Sequence, residues 1–407
     1  LIFAIKIFYI SLSAEKNNYS NLETDPEKTR RNIIDRNNTV LATNVNLYDI
    51  GVRPKLLKNK EKKNLLIKLR LMESGLDLDK IKKNLNKNNF FWLEKRLSPK
   101  EKDKFWLIGN KAFVFESKQS RIYPQKSLFS HVLGQTDNTN TGISGLEKFL
   151  EKELSIKEKI SEPISLTLDS NLQFIIREEL IKAQSIFKNV GSAAVLMDVK
   201  NGDILSLISL PDYNLNKRIS IKDDIYSNKI TLGVYELGSV FKTFTIAAAL
   251  ENKVINQNTI FNNLESSINC DKYTINEHDK LPKNLSIEQI LVRSSNIGAV
   301  RIAQKVGIEK YKNFLNSLGL LNTINFDLDE VGTPISFKWG KCKLATTSYG
   351  HGITTTPLQL ARAYAILANG GYKINPSLLG GIFNHEEVGL WTVVANLNVY
   401  LVYLLFP

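Results

Sequence analysis

Residues 191–211 narrow the choice of fold more than any other stretch. GSAAVLMDVKNGDILSLISLP sets two apolar runs on either side of Lys-Asn-Gly-Asp. Asn-Gly tolerates the positive φ angles that tight hairpin turns need, so the stretch predicts a β-hairpin. Just before it, EPISLTLDSNLQFIIREELIKAQSIF predicts a strand and then a helix capped by Asp169 or Ser170. Beyond the hairpin, helical patterns dominate to about residue 375. TTTPLQLARAYAILANGG carries capping chemistry at both ends, with Thr356 at the N-cap, Pro357 at the first helical position and Gly370 just past the end.

The character differs before residue 160. RRNIIDRNNTVLATNVNLYDIGVRP reads as strands around an Asn-Asn turn, because asparagine tolerates positive φ. Residues 55–105 are Lys-rich with helical spacing and predict a solvated helical region. GISGLEKFLEKEL, residues 142–154, predicts a Gly-broken turn leading into an amphipathic helix. No repeats appear, and 407 residues suffice for two domains with a core each. The division falls near 160.

The formal net charge is +13. Lys, Asn and Ile are over-used throughout, loops included, and no basic stripe interleaves with aromatics, so a nucleic-acid partner is not expected. A basic exterior suits an anionic membrane surface or wall polymer. The two cysteines, Cys270 and Cys342, form no C-x-x-C, and whether they pair is open. The four histidines, His131, His278, His351 and His385, lack ligand spacing and read as surface residues or supports of neighbouring groups. Neither metal nor cofactor is expected. LIFAIKIFYISL at the start is short of the roughly 20 apolar residues that span a bilayer. It reads as part of a membrane anchor over 1–13 or as a trimmed signal peptide. Both place the remainder outside the cytoplasm.

The chemistry is concentrated in YELGSVFKTF, residues 235–244. A serine hydroxyl is a weak nucleophile until a base takes its proton. Ser239 and Lys242 stand three apart on one helix face, so the amine can reach the hydroxyl. To act as base the lysine must be neutral, and burial beside TFTIAAAL supplies the desolvation. Gly238 lets a substrate approach closely, and the helix N-terminus offers a positive field to a developing oxyanion. Ser-x-x-Lys also occurs at Ser13 and Ser185, without the preceding glycine and helix start. LVRSSNIGAV places Ser294, Ser295 and Asn296 before another apolar helix, 55 residues after Ser239. A Ser-x-Asn there can relay a proton and hold a peptide amide. Ser267-Ile-Asn269 lies in a polar stretch without that context.

Taken in order, these pieces resemble the class B penicillin-binding proteins, which share Ser-x-x-Lys and a Ser-x-Asn element with their wider group. They are most similar to the septal D,D-transpeptidases of the FtsI type. RRNIIDRNNTVLATN resembles the family's opening motif, and SHVLGQT with GISGLEKF its pedestal signature. LTLDSNLQ, GSAAVLMDVKNGDILSL, YELGSVFKTF, RSSNIG and SYGHGITTTPLQLARAYAILANGG follow in the family's order. The resemblance runs from about residue 28 to 375. It implies an α+β or α/β transpeptidase fold, an antiparallel sheet flanked by helices, after an extended N-terminal pedestal. The expected divisions are a partial membrane anchor at 1–13, a dimerisation-type pedestal at 14–159, an incomplete transpeptidase domain at 160–380 and an atypical apolar tail at 381–407.

The same resemblance implies a peptidoglycan D,D-transpeptidase. Ser239 would attack the penultimate D-alanine carbonyl of a stem peptide and release D-alanine. An amine of a neighbouring stem peptide would then displace the serine. Lys242 is the base, Ser294 the proton relay and Asn296 the holder of the substrate amide, with Gly238 and Ser295 at the substrate. β-Lactams would trap Ser239. A single-pass inner-membrane protein facing the periplasm, with cell-division proteins as partners, is implied. An elongation-type relative is the near alternative. Asn32 and Asn38 stand where glycine is usual, and Leu237 where proline is common. No Lys-Thr-Gly or Lys-Ser-Gly occurs. That element would supply a cation, a carboxylate clamp and an oxyanion donor, so the chain reads as truncated or frame-shifted after about residue 380. An inactive relative that keeps the fold is the remaining alternative.

Overall fold

The computed structural model describes residues 29–380, except 73, 74, 218, 219, 221, 272 and 336, together with residues 402–406. The expected anchor, the first residues of the pedestal and most of the apolar tail lie outside the described residues. Among the described residues no helix is long and apolar enough to cross a membrane.

The pedestal begins with β1 (Ile33–Ile34) and β2 (Val40–Val52), an antiparallel hairpin. Asp35 closes the turn, accepting hydrogen bonds from the Asn37 and Thr39 amides, both at 2.8 Å. Asn38 takes the left-handed conformation at φ 65°. Asn32 does not, and instead its carbonyl accepts from the Ile164 amide. The Lys-rich segment then forms α1 (Asn59–Arg70), α2 (Leu78–Lys87), β3 (Phe91–Leu97) and α3 (Pro99–Trp106), followed by β4 (Phe113–Ile122). The expectation of an all-helical stretch fails at β3. Its residues are drawn into antiparallel pairing with β2, whose other edge takes β4. Strand formation depends on a partner edge, which local spacing does not record. Ile50, Val52, Leu65, Leu69, Ile81 and Leu85 bury together in a core of their own.

After β4 come three short helices, α4 (Ser130–Leu133), α5 (Gly145–Phe149) and α6 (Glu151–Leu154). The helix expected after Gly145 therefore breaks at Leu150. Gly134 and Gly145 let two backbones touch: a Cβ at Gly134 would lie 2.1 Å from the Ser144 carbonyl oxygen. Below this contact, Glu147 binds Arg30 at 2.8 Å and Arg121 at 2.7 Å, with all three side chains fully buried. Arg30 reaches Glu151 as well, at 2.7 Å. The opening motif and the pedestal signature, far apart in sequence, are thus joined by one carboxylate. Removing either partner of such a buried pair leaves an uncompensated charge.

β5 (Ile164–Ser165) pairs parallel with β1, so strands from either side of residue 160 share a sheet. α7 (Ser170–Phe187) follows, with Asp169 at its N-cap accepting from the Asn171 and Leu172 amides. Gln173, fully buried, donates to the Leu128 and Leu207 carbonyls and accepts from the Ser206 hydroxyl and Leu207 amide. β6 (Gly191–Met197) and β7 (Ile204–Leu210) form the expected antiparallel hairpin, with Gly202 left-handed at its turn. Ile176 and Leu180 of α7 cover one face over Ala194 and Ile208.

The other face joins the main core, built on α8 (Phe241–Glu251) and on elements further along the chain. Those are β8 (Ile260–Phe261), β9 (Ser267–Cys270), β10 (Tyr273–Asn276), β11 (Leu285–Ser286), α9 (Ile287–Val292), α10 (Asn296–Val306), α11 (Ile308–Ser317), α12 (Lys341–Thr347) and α13 (Pro357–Ala368). Thr356 caps α13 in a reciprocal box with Gln359. A last strand, β12 (Val402–Phe406), pairs antiparallel with β6 and gives the order β12-β6-β7. The architecture is a mixed α+β one, an antiparallel sheet between helices behind an N-terminal pedestal.

Candidate active site

A short 3-10 turn, Gly238–Val240, leads into α8. Gly238 has φ +64°, a conformation that glycine adopts without strain, and a Cβ there would meet open space. The turn leaves Ser239 exposed at the head of the helix, while Lys242, one turn on, is 1% exposed. The Lys242 ammonium donates to Ser239 Oγ at 3.1 Å, to the Ser294 carbonyl at 2.6 Å and to Ser294 Oγ at 2.8 Å. Three donors meet three acceptors. When the amine is neutral, two N–H bonds can stay on Ser294 while the lone pair faces Ser239. Burial lowers the Lys242 pKa to about 8, and the Glu277 carboxylate acts in the opposite direction. A base of that pKa is partly neutral at physiological pH.

Ser294 is itself left-handed, at φ 53°. That backbone turns both of its oxygens onto Lys242, at a strain cost of about 1–2 kcal/mol for a non-glycine residue. Asn296 is 7% exposed, and its Nδ2 donates to the Asn276 carbonyl at 3.0 Å. Ser295, expected at the substrate, is fully buried and serves the backbone instead. Its hydroxyl accepts from the Gly298 amide at 2.9 Å as the cap of α10, and donates to Glu277 at 2.5 Å. The structure therefore brings Ser239, Lys242 and Ser294 together, sets Asn296 two residues beyond, and turns Ser295 away into the cap.

The other candidates lie elsewhere. Ser185 is exposed late in α7 and donates to the Lys182 carbonyl. Ser13 lies outside the described residues. Ser267 and Asn269 belong to β9, hairpin partner of β10. His278 and His351 are exposed, and His385 is outside the described residues. His131 is not at the surface: it is buried, with Nε2 donating to the Ile225 carbonyl at 2.8 Å and its ring edge-on to Tyr213. Among the described residues no group of His, Cys, Asp and Glu is placed to hold a metal ion.

Three features escaped the sequence reading. Cys270 of β9 and Cys342 of α12 are joined in a disulfide, a pairing that spacing left open. Gly350 lies against Gly238, whose amide donates to the Gly350 carbonyl at 3.3 Å. Glu236 pairs with His351 at 3.0 Å on the same rim. None carries a local signal, because each contact is made by chain closure over many residues.

A buried lysine that reaches an exposed serine at a helix head, with a second serine holding the amine, is the layout of a serine acyl-transfer site. Residues 192–395 match the penicillin-binding protein transpeptidase domain, and residues 26–164 the penicillin-binding protein dimerisation domain. The chain belongs to the penicillin-binding protein transpeptidase family. It is 30% identical over 348 residues to the probable peptidoglycan D,D-transpeptidase FtsI of Caulobacter vibrioides, an alignment covering 85% of this chain and 58% of that protein. Against the stage V sporulation protein D of Bacillus subtilis the identity is 28%, over 89% of this chain and 61% of the relative. Against the peptidoglycan D,D-transpeptidase FtsI of Escherichia coli K12 it is 26%, over 86% and 66%. The chain thus spans about three fifths to two thirds of the length of these relatives.

Proposed function

We propose that this protein is a serine-type peptidoglycan D,D-transpeptidase that cross-links stem peptides through an acyl-serine. The observation that carries the reading is the triangle of Ser239, Lys242 and Ser294. Neutral Lys242 takes the Ser239 proton as Oγ attacks the carbonyl of the penultimate D-alanine. The C–N bond to the terminal D-alanine breaks, and Ser294 hands its proton to the leaving amine and regains one from the Lys242 ammonium. An acceptor amine then attacks the ester, and Ser239 regains its proton. Asn296 orients the substrate amide, and Gly238 gives the donor strand room beside the nucleophile. β-Lactams acylate the same hydroxyl.

Residues 14–159 serve as the dimerisation-type pedestal, 160–380 as the transpeptidase domain, and 1–13 belong to a single-pass inner-membrane anchor. The Cys270–Cys342 disulfide supports a periplasmic site, since such bonds persist in oxidising compartments. Similarity to relatives named FtsI supports a septal role alongside cell-division proteins. A tagged chain concentrated at mid-cell is the expected result, and one spread along the lateral wall would favour an elongation role.

One observation favours a second reading. The 407 residues contain no Lys-Thr-Gly or Lys-Ser-Gly. A chain that keeps the fold without turnover is the alternative. A fluorescent penicillin separates the two: covalent labelling of the wild type, lost in Ser239→Ala, supports catalysis, and equal labelling of both sinks it.

A further inference from the structure

We propose that Glu277 is a positioning residue of the acylation site, locking the Ser294–Asn296 turn and thereby the two oxygens that hold the Lys242 amine. The proposal rests on the transpeptidase reading and deepens it. Glu277 lies 17 residues before Ser294 and directly after β10, and it belongs to none of the motifs that mark the site in the sequence.

The geometry is specific. One carboxylate oxygen accepts from the Ser295 hydroxyl at 2.5 Å and the Ile297 amide at 3.1 Å. The other accepts from the Asn296 amide at 2.7 Å. These are free donors at the head of α10, where an anion is favoured by the exposed amides and the helix field. The preceding residue adds a fourth tie, the Asn276 carbonyl to Asn296 Nδ2 at 3.0 Å. The end of β10 therefore grips Ser295 and Asn296 on the C-terminal side of Ser294. On its N-terminal side the Ser294 amide is held by the Leu291 carbonyl. A left-handed residue between two such anchors has little freedom to swing its oxygens off Lys242. β10 is itself secured through β9, which the Cys270–Cys342 bridge fastens to α12.

Charge makes the role separable from simple capping. Glu277 is the carboxylate whose field acts on Lys242. The other titratable groups around it are His278, Asp279 and Lys280 on its own segment, and Glu265 and Lys283 across the cavity they share. Replacing Glu277 by glutamine removes the negative charge and turns one acceptor into a donor that faces the backbone amide of Asn296 or Ile297. The turn should loosen, and the Lys242 ammonium should lose a stabilising anion, so its titration midpoint should fall below that of the wild type.

The test uses the full chain as wild type, Glu277→Gln and Glu277→Asp. Acylation by a fluorescent penicillin is followed against pH to its alkaline plateau. Lys242 is titrated by NMR of ¹³Cε-labelled lysine, assigned with Lys242→Arg. The expected result is a plateau roughly ten- to a hundredfold lower in Glu277→Gln, a lowered Lys242 midpoint, and an intermediate plateau in Glu277→Asp. A wild-type plateau in Glu277→Gln overturns the proposal. So does a lower plateau with an unmoved Lys242 midpoint, which marks a merely structural cap. If Glu277→Gln fails to fold, Glu277→Asp decides: a lowered plateau with a shifted Lys242 midpoint supports the proposal, and a wild-type plateau or an unmoved midpoint overturns it. If even the wild type is not acylated, the transpeptidase reading falls separately, and the Lys242 midpoint alone decides the role of Glu277.

Discussion

Gly350 packs so tightly on Gly238 that a Cβ at Gly350 would come within 1.9 Å of the Gly238 carbonyl oxygen. Gly350 is also left-handed, at φ +81°. The turn that presents Ser239 is therefore shaped from the far side by a residue more than a hundred positions later. Gly350→Ala should push the Gly238–Ser239 turn outward. Acylation by a fluorescent penicillin is expected to fall roughly a hundredfold, since an ångström of misplacement costs about that much. The overpacking should cost about 1–3 kcal/mol in stability. An unchanged acylation rate would show that the contact does not set the nucleophile.

Lys242 sets the pH dependence. With a pKa lowered to about 8 by burial, its neutral fraction rises through that value. Acylation of Ser239 should therefore increase from pH 6 and level off above about pH 9. Lys242→Ala should remove this limb and slow acylation roughly 10²- to 10⁴-fold. A wild-type profile that stays flat from pH 6 to 9 would remove Lys242 from the role of base.

Ser294 combines a useful side chain with an unfavourable backbone. Ser294→Gly should relieve the left-handed strain and melt no lower than the wild type. It keeps the carbonyl that binds Lys242 but loses the hydroxyl. Acylation is expected to drop roughly 10²-fold or more. Rates at the wild-type level in Ser294→Gly would leave the carbonyl as the only contribution of this residue.

His131 should make the fold acid-sensitive. Burial pushes its pKa down to about 4, outweighing the hydrogen bond to Ile225, against an ordinary value of 6.5. The unfolded chain therefore binds the proton first as pH falls. Stability from the neutral ring is complete above about pH 6.5 and is lost between there and pH 4, roughly 3 kcal/mol in all. Denaturant unfolding at pH 7 and pH 4.5 should show a steeper loss in wild type than in His131→Gln. Equal losses would contradict a buried neutral imidazole.

Much was legible because its cause is local. Asp169 and Thr356 cap their helices through amides two or three residues away, so their patterns stand in the sequence. The β6–β7 hairpin declares itself through Asn201-Gly202 and the apolar runs beside it. The three-residue spacing of Ser239 and Lys242 likewise settles, within one helical turn, that the amine can reach the hydroxyl. The motif order marks the family, yet it misjudged Ser295, which looked like part of the site and is spent on a helix cap.

Tertiary structure decided what no window of the chain contains. The strand β3 exists because β2 offers it an edge. Lys242 is held by Ser294 from 52 residues away, Cys270 meets Cys342 across 72, and Glu277 grips a turn that lies 18 to 20 residues on. Such contacts depend on how the whole chain packs its apolar residues, and only that packing dries the Lys242 amine enough to lower its pKa. Sequence alone determined which residues could carry the chemistry. The closing of the core determined which of them meet.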